Sequence, residues 1–411
     1  MSKQKIRFGV NYVPRKNWWY CWGDWDIESI KEDLHAISSI GMDHIRVFPI
    51  WPYFQPNENY VSETALERLI ELMDTADLYN LDVQPAVLTG FLSGFCFMPS
   101  WQNKRNMFTD PDMIIAEKQL FSSIAKKIGN HPRFMGFDLG NEINVLHHFN
   151  FGCDIDKSDE WQSEMLLHCN EISPGKFHVN GIGGEPWLMG SSYSPKCLAN
   201  TGAATILHPY IFFNGALDIY KPNDIGCLHF NEFLIEYVKA FNKTGDRLVW
   251  IQETGISSEW IPEHDIPDFV EKSIRNAAAC ENLYGITWWS SHELDRKYKG
   301  FMKFEYDLGL YDNNNHLKPI GKRVRDIIKE YKLEQPQAFQ RPVAIVIPKD
   351  LYSQPQINRP RNQEKHRPIW NVGERYMELI AEGIRPGIIH EDNAADSEYL
   401  KGRGLKELVW I

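Results

Sequence analysis

The sequence has little that would suit it to nucleic acid or to a membrane. Its 44 basic residues are outnumbered by 55 acidic ones, for a net charge of −11, whereas a nucleic-acid partner requires a basic face. No apolar run is long enough to cross a bilayer, and the polar amino terminus, Met1 to Arg7, lacks an apolar segment of signal-peptide length. The sequence therefore predicts a cytoplasmic protein that binds neither nucleic acid nor a membrane.

Paired cysteines and a metal-binding pattern are also missing. The seven cysteines are scattered and include no C-x-x-C pair, so free thiols in a reducing cytoplasm fit better than a disulfide set or a zinc site. Asp154, Asp156 and Asp159 resemble the start of a calcium loop, but the glycine and the final glutamate of such a loop are absent. We therefore predict no metal and no cofactor.

Strand-like runs alternate with amphipathic or long loop segments through most of the chain. The eight runs are Phe8–Tyr12, His44–Pro49, Val83–Leu88, Phe134–Asn141, His178–Gly181, Thr205–His208, Leu248–Glu253 and Ile286–Trp289. Eight strand–helix units in about 330 residues are typical of a (β/α)₈ TIM barrel with enlarged loops. A doubly wound sheet is the alternative, but no G-x-G-x-x-G motif follows the first strand. We therefore predict a catalytic barrel over residues 1–331.

The pattern changes after residue 331. Residues 332–341 are polar and predict a linker, and residues 342–411 predict a small, partial flavodoxin-like α/β domain. The predicted elements are strands Pro342–Pro348, Pro386–Ile389 and Lys406–Ile411, helix Asn371–Gly383 and a mobile loop at Lys349–Arg367. The chain stops within an apolar run, so either this domain buries the last strand or the chain was cut from a longer protein. So few strands cannot cover both faces of their sheet, which predicts packing on the barrel or a homo-oligomer formed through residues 342–411.

Two glutamates stand at the ends of strand-like runs. FDLGNE ends at Glu142, and LVWIQETG carries Glu253. At the carboxyl end of a barrel strand a side chain points into the site rather than into the core. Two such carboxyl groups are the minimum needed to cleave a glycosidic bond. The alternatives are a buried salt-bridge partner for Glu142 and a helix-start acid for Glu253, but the two matching positions together favour catalysis.

Other predicted strand ends supply polar residues suited to sugar chemistry. Arg46 can keep a neighbouring carboxylate ionised, and Asn141 can bond a sugar 2-hydroxyl. His208 and Tyr210 alternate around a proline, so both point to one side. Arg46 or His208 alone would more readily be structural, and it is their combination that indicates a site.

Aromatic residues are abundant, at 13% of the chain with 14 tryptophans. A Trp side chain is costly to bury fully because its N–H needs a partner. Trp288 or Trp289, after the last strand, offers a face for a pyranose ring. Trp22 and Trp51, in loops after the first two strands, either stack on sugars or pack on the barrel rim. Glu293, a third acid near the same end, is either a ligand of substrate hydroxyls or structural.

This combination resembles the clan A glycoside hydrolases, and family 5 (cellulase and mannanase type) most closely. The matching residues on strands two, four, six, seven and eight are Arg46, Asn141–Glu142, His208 with Tyr210, Glu253 and Trp288. The resemblance covers roughly residues 6 to 330. It implies that Glu142 is the acid/base, Glu253 the nucleophile, and Tyr210 a hydrogen-bond partner of Glu253.

Two further features bear on this resemblance. The third-strand histidine usual in family 5 is absent from Val83–Gly90, where Gln84 and Thr89 are available instead. The small domain after the barrel resembles that of family 42 β-galactosidases, in which a similar domain helps to build a trimer.

The sequence therefore predicts a retaining β-glycoside hydrolase that cleaves β-linked oligosaccharides by double displacement, with a β-mannoside, β-glucoside or β-galactoside as substrate. Glu142 is expected to hold a proton at neutral pH, and Glu253 to be kept ionised by Arg46 and hydrogen bonds. Their carboxyl groups should lie roughly 5 Å apart. One alternative is a non-catalytic barrel that binds carbohydrate. Another, a phosphate-handling barrel enzyme, would need a glycine-rich anion loop after strands seven and eight, and the sequence has none there.

Overall fold

The computed structural model describes residues 5–149, 152–353 and 368–411. Most of the predicted loop Lys349–Arg367 therefore lies outside the described residues. Among the helices of these three ranges, none is long and apolar enough to span a membrane.

Six parallel strands form a curved sheet that makes up most of the barrel wall. They are β1 (Arg7–Tyr12), β2 (His44–Val47), β3 (Asp82–Pro85), β6 (Thr205–Leu207), β7 (Val249–Thr254) and β8 (Leu283–Trp288). Neighbouring strands follow the order β3-β2-β1-β8-β7-β6, and every pair is parallel. A short antiparallel hairpin, β4 (Phe91–Leu92) with β5 (Phe95–Cys96), follows β3.

The prediction of regular strands at Phe134–Asn141 and His178–Gly181 is wrong. Both segments lie in the barrel wall, but single parallel bridges join them to their neighbours, at Val83–Phe134, Ala86–Asp138 and Asp138–Val179. Gly136 explains the interruption, because its φ is +150° and a Cβ there would lie 2.3 Å from the carbonyl oxygen of Phe177. Only glycine tolerates so close an approach, and the backbone departs from the regular ladder. The two segments nevertheless complete the wall, and the predicted (β/α)₈ barrel is confirmed.

Helices follow or flank the strands. They are α1 (Ile27–Ser39), α2 (Trp51–Phe54), α3 (Glu63–Leu78), α4 (Pro111–Ile128), α5 (Ile155–Ile172), α6 (Glu185–Met189), α7 (Pro195–Asn200), α8 (Ala216–Ile219), α9 (Ile225–Leu228), α10 (Phe230–Lys239), α11 (Ile266–Ala278), α12 (Pro319–Leu333), α13 (Ile369–Ala381) and α14 (Ser397–Gly402). Short 3₁₀ helices lie at Trp18–Trp22, Ser100–Gln102, Ile143–Phe149, Lys303–Tyr306, Leu351–Ser353 and Glu391–Asn393.

The local sequence explains where the longer helices begin. Helix α1 buries Ile30, Leu34 and Ile37, which share one face. Helix α4 starts where the sequence predicts, because Asp110 accepts the backbone N–H groups of Asp112 and Met113 and proline fills the first helical position. These caps satisfy donors that the helix itself leaves free.

After α12 the chain forms a second, smaller parallel sheet. Strands β9 (Val343–Ile347), β10 (Gly387–His390) and β11 (Glu407–Trp410) are ordered β10-β9-β11, with α13 and α14 in the connections. The strands and α13 lie within a few residues of their predicted positions. Strand β11 lies at an edge of the sheet, and Trp410 on it is 61% exposed. The division into domains stays a prediction.

A buried ionic cluster joins this sheet to the barrel. Glu232 and Glu236 of α10 are fully buried. Arg341, just before β9, donates to Glu232 at 2.7 Å, and Arg403 donates to Glu236 at 3.2 Å. Burial alone would raise the pKa of Glu236, but Lys239 and the two arginines hold that pKa down at about 2. The contact is therefore charged at neutral pH.

Candidate active site

A cavity of about 290 Å³ opens at the carboxyl ends of the barrel strands. It is lined by six of the residues that the sequence analysis selected, namely Asn141, Glu142, His208, Tyr210, Glu253 and Trp289. The strands carry these residues to one place because parallel strands end at the same rim of a barrel.

Glu253 lies on β7 and is only 6% exposed. The pairing of β7 with β8 slips by one residue between Ile251 and Thr254, which is the mark of a bulge. The bulge contains Gln252 and Glu253, and both of these consecutive residues contact the site. Tyr210 donates its hydroxyl to Oε1 of Glu253 at 2.7 Å. The strand irregularity therefore aims this carboxylate.

Glu142 occupies an unusual backbone conformation. Its φ is +44°, in the left-handed region that costs a residue other than glycine about 1–3 kcal/mol. Its side chain is 21% exposed, and Oε1 lies 3.1 Å from Nδ1 of His208. A Cβ at Gly183 would come within 2.9 Å of that same oxygen. Glycine at 183 thus leaves room for the carboxyl group.

Arg46 lies beneath the cavity and is fully buried. Its Nε donates to Asp138 at 2.7 Å. Its Nη1 lies 3.0 Å from the amide oxygen of Asn141 and 3.3 Å from Oε2 of Glu253. Asp138 balances the buried guanidinium charge, so Arg46 can face the glutamate without being left unpaired.

His208 lies between the two glutamates, and its neighbours determine where its protons are. The amide nitrogen of Gln252 donates to Gln84 at 2.9 Å and to Asp138 at 3.1 Å, so the amide oxygen faces Nε2 of His208 at 3.2 Å. That ring nitrogen must therefore carry a hydrogen. Nδ1 of His208 lies 3.1 Å from Oε1 of Glu142 and faces that carboxyl group. Gln84, which occupies the third strand in place of a histidine, supports this arrangement.

His208 and the two glutamates influence one another's pKa values. Burial lowers the pKa of His208, but the charges of Glu253 and Glu142 outweigh it and raise the pKa overall. For Glu253, burial raises the pKa, and the charge of Glu142 adds to the rise against the opposing effects of His208, Arg46 and Tyr210. The predicted partners of Glu253 are thus in place, but they do not bring its pKa below the ordinary value. One oxygen of Glu142, one of Glu253 and a ring nitrogen of His208 all lie within 4.8 Å of one another.

Three of the predicted tryptophans do not line this cavity. The indole N–H groups of Trp288, Trp51 and Trp22 donate to Leu308, Gln55 and Phe48 respectively, at 2.7–2.9 Å. All three tryptophans are buried. They fill the rim of the barrel, as the alternative interpretation of Trp22 and Trp51 expected, and of the pair at the end of β8 only Trp289 lines the cavity.

Glu293 is also separate from the two glutamates. It pairs with Lys318 at 2.5 Å and lines a different pocket of about 180 Å³ together with Asp307. The ion pair with Lys318 is what the structural alternative for Glu293 predicts, and a role in binding substrate hydroxyls stays a prediction.

Sequence reasoning missed two further carboxyl groups in the cavity, those of Glu185 and Glu305, and Glu305 is the more buried of them. Glu305 lies in the 3₁₀ turn Lys303–Tyr306 and is 8% exposed. Burial and then the charges of Glu253 and Glu142 raise its pKa to about 8. Phe91, Phe213, Met302 and Phe304 also line the cavity without having been predicted. These residues come from loops, two short helices and a two-residue strand, all too short for a periodic pattern to mark them.

Comparison with known proteins gave matches only among solved structures. No protein-family model matches the chain, and neither does any curated protein. A family 5, subfamily 18 glycoside hydrolase from Streptomyces cattleya, in complex with Manβ1-4GlcNAc, is 32% identical, with 98% of each chain covered and a TM-score of 0.91. Another from Bifidobacterium longum subsp. longum, in complex with the same disaccharide, is 33% identical, covers 98% of this chain and 96% of that one, and has a TM-score of 0.88.

A more distant match supports the fold alone. An exo-β-1,4-mannosidase from an Opitutaceae bacterium is 21% identical and has a TM-score of 0.81, with 98% of this chain and 72% of that one covered. The two closer matches extend through both the barrel and the small sheet.

Proposed function

The chain belongs to glycoside hydrolase family 5, and on that premise we propose that it is a retaining β-glycosidase acting on mannosyl-β-1,4-N-acetylglucosamine. That it is an O-glycosyl hydrolase follows from the family. Its stereochemical course, its catalytic residues and its sugar are the proposed part.

The spacing of the two glutamates carries the retaining assignment. One oxygen of Glu142 and one of Glu253 lie within 4.8 Å of each other. Retaining enzymes separate their carboxyl groups by about 5–5.5 Å, whereas inverting enzymes leave about 6.5–9.5 Å so that a water fits between. The short spacing favours direct attack by a glutamate on the sugar.

In the first step, an oxygen of Glu253 attacks the anomeric carbon while Glu142 gives its proton to the glycosidic oxygen. The bond to the leaving sugar breaks and a glycosyl ester forms on Glu253. Glu142 suits the acid role because its carboxyl group is the more exposed of the two and is held by His208, whose Nδ1 lies 3.1 Å away.

In the second step, Glu142, now a carboxylate, takes a proton from water, whose oxygen attacks the same carbon and releases Glu253. As the ester breaks, negative charge returns to Glu253. Tyr210 at 2.7 Å and Arg46 at 3.3 Å are positioned to stabilise that charge.

The choice of sugar comes from the similar structures. Two of them, at 32% and 33% identity, hold Manβ1-4GlcNAc. This favours a β-mannoside over the β-glucoside and β-galactoside that the sequence alone left open. A non-catalytic carbohydrate-binding barrel would have no need for two carboxyl groups at this spacing.

Hydrolysis of Manβ1-4GlcNAc and of 4-nitrophenyl β-mannoside, β-glucoside and β-galactoside tests the proposal. We expect the mannosides to be cleaved fastest, with the β-anomer of mannose as the first product seen by proton NMR. The α-anomer as first product would overturn the retaining course. Faster cleavage of the glucoside or the galactoside would overturn the assignment of a β-mannoside as the substrate.

Azide rescue tests the two roles separately. Glu253→Ala with azide should give the α-mannosyl azide, because the anion attacks the free substrate once from the vacated face. Glu142→Ala should retain activity only on substrates with good leaving groups, and azide should then give the β-mannosyl azide by attack on the ester. Exchanged products would reverse the assignment of the two glutamates.

A further inference from the structure

The buried carboxyl group of Glu305 lines the cavity but has no part in the two-step reaction. We propose that Glu305 binds a hydroxyl group of the sugar ring that lies next to Glu253, and so selects the glycone. This rests on the proposed function, since it presumes that a sugar occupies the cavity with its anomeric carbon at Glu253.

Glu305 is held in place on one oxygen only. Its Oε2 accepts the indole N–H of Trp289 at 3.3 Å and the hydroxyl of Ser93 at 3.4 Å. Within the described part of the chain, Oε1 of Glu305 has no hydrogen-bond partner. This oxygen is nevertheless not fully buried. Since Glu305 lines the cavity, its free oxygen faces that space.

The surrounding elements make this position rigid. Ser93 and Gly94 form the two-residue turn of the β4–β5 hairpin, and both have positive φ, as type I′ turns require. Behind the hairpin, the rings of Trp19, Phe95 and Phe301 pack with centroids 4.7–5.0 Å apart. A binding group supported in this way needs no ordering when the sugar arrives.

Glu305 lies on the glycone side of the site. Its anchor Trp289 directly follows β8, the strand paired with the one that carries Glu253. Glu305 is therefore held at the end of the strand next to the one that carries Glu253, which places the ring that Glu253 attacks within its reach.

The protonation state suits a neutral ligand. Burial raises the pKa of Glu305 to about 8, so at neutral pH it is a carboxylic acid. It can then donate its own hydrogen to a sugar oxygen as well as accept a hydroxyl hydrogen. A further negative charge beside Glu253 is also avoided.

Kinetics with single-deoxy substrates provide the test. The probes are 4-nitrophenyl β-mannoside and its analogues lacking one of the hydroxyls at positions 2, 3, 4 or 6. We expect Glu305→Ala to lower kcat/KM for the parent substrate about 10–100-fold. With the wild-type enzyme, kcat/KM for one deoxy analogue should be lower than for the parent substrate by a similar factor. With Glu305→Ala, that analogue and the parent substrate should have the same kcat/KM. Glu305→Gln, which keeps shape and both hydrogen-bonding roles, should remain within about threefold of wild type.

Glu117→Gln is the matched control. Glu117 is likewise a buried glutamate that accepts an indole N–H, from Trp161 at 2.9 Å, but it lies on α4 away from the cavity. For this variant, the decrease in kcat/KM caused by removing each hydroxyl of the substrate should be the same as for the wild-type enzyme. Circular dichroism melting of each variant separates loss of binding from loss of folding.

The outcomes are distinct. An unchanged set of deoxy penalties in Glu305→Ala would overturn the inference, as would an effect seen on Manβ1-4GlcNAc but not on the aryl mannoside. A wild-type enzyme inactive on every β-glycoside would instead count against the proposed function. In that case calorimetric titration with mannose and its deoxy derivatives makes the same comparison, without turnover, between wild type and Glu305→Ala.

Discussion

A substitution of Tyr210 tests how a single hydrogen bond sets the pKa of Glu253, the residue that we propose as the nucleophile. Its hydroxyl donates to Glu253 at 2.7 Å and lowers the pKa of that carboxyl group, although burial raises it more. Tyr210→Phe should therefore raise the pKa of Glu253, so that the acid limb of the kcat/KM profile moves to higher pH. We expect kcat/KM near its optimum to fall about 10–100-fold, the loss expected for a hydrogen bond to a charged group.

Tyr311→Phe provides the comparison for that prediction. Tyr311 donates to the backbone oxygen of Ala36 at 2.7 Å, far from the cavity. Its variant should lose some stability and keep the wild-type pH profile. An acid limb that stays in place in Tyr210→Phe would mean that this hydroxyl does not govern ionisation of Glu253.

At the level of residues, the sequence predicted those site residues that lie at the ends of strands. Glu142, Glu253 and His208 were selected because each ends a strand-like run, and such residues meet at one rim. Glu305 could not be found in this way, because it lies in a loop turn with no periodic pattern. Trp22 and Trp51 show the opposite difficulty, since a tryptophan after a strand has the same sequence signature whether it faces sugar or packs against the rim.

Helix α4 allows a prediction at the level of secondary structure. Asp110 caps it by accepting the N–H groups of Asp112 and Met113, both at 3.1 Å. Asp110→Ala should lower the free energy of unfolding by about 1 kcal/mol, measured by urea denaturation, with kcat unchanged. Asp112→Ala, in the same turn but not the cap, should cost less. Equal losses would show that charge near the helix dipole, rather than capping, is responsible.

The elements also show where pattern reading fails. Amphipathic helices and six of the eight strands were recognisable because their periods are regular. The fourth segment contains an apolar run typical of a strand, yet Gly136 at φ +150° interrupts its pairing with the fifth. A close approach between two backbones depends on the neighbouring segment, Phe177 in this case, and no local pattern records it.

Over the whole molecule, the cluster between α10 and the small sheet predicts the response to acid. The pKa of Glu236 is about 2 in the folded protein, against an ordinary value of 4.5. A lowered carboxyl pKa stabilises the fold above the ordinary value, and the contribution disappears as pH falls through the folded one. The free energy of unfolding should therefore decline between about pH 4.5 and pH 2.

Arg341→Met tests the source of that decline. It leaves buried glutamates short of a partner, and we expect a loss of about 3–5 kcal/mol at pH 7 together with a shallower pH dependence. Arg375→Met removes an exposed pair with Glu378 and should change stability by less than about 1 kcal/mol. Equal effects of the two substitutions would contradict a special role for the cluster. Whether residues 342–411 also mediate a homo-oligomer stays a prediction, for which light scattering at micromolar concentration is the measurement.

The left-handed backbone of Glu142 has a consequence for how the protein can change over generations. Its φ of +44° suits glycine or asparagine better than glutamate, so the fold would be relieved by replacing the very residue that we assign as acid/base. Selection for thermal stability alone would therefore favour replacement of Glu142. The resulting protein would be more stable and inactive, but would keep the rest of its sugar-binding cavity. An inactive descendant of this barrel would then be a carbohydrate-binding protein, and only selection for glycoside cleavage keeps a glutamate at position 142.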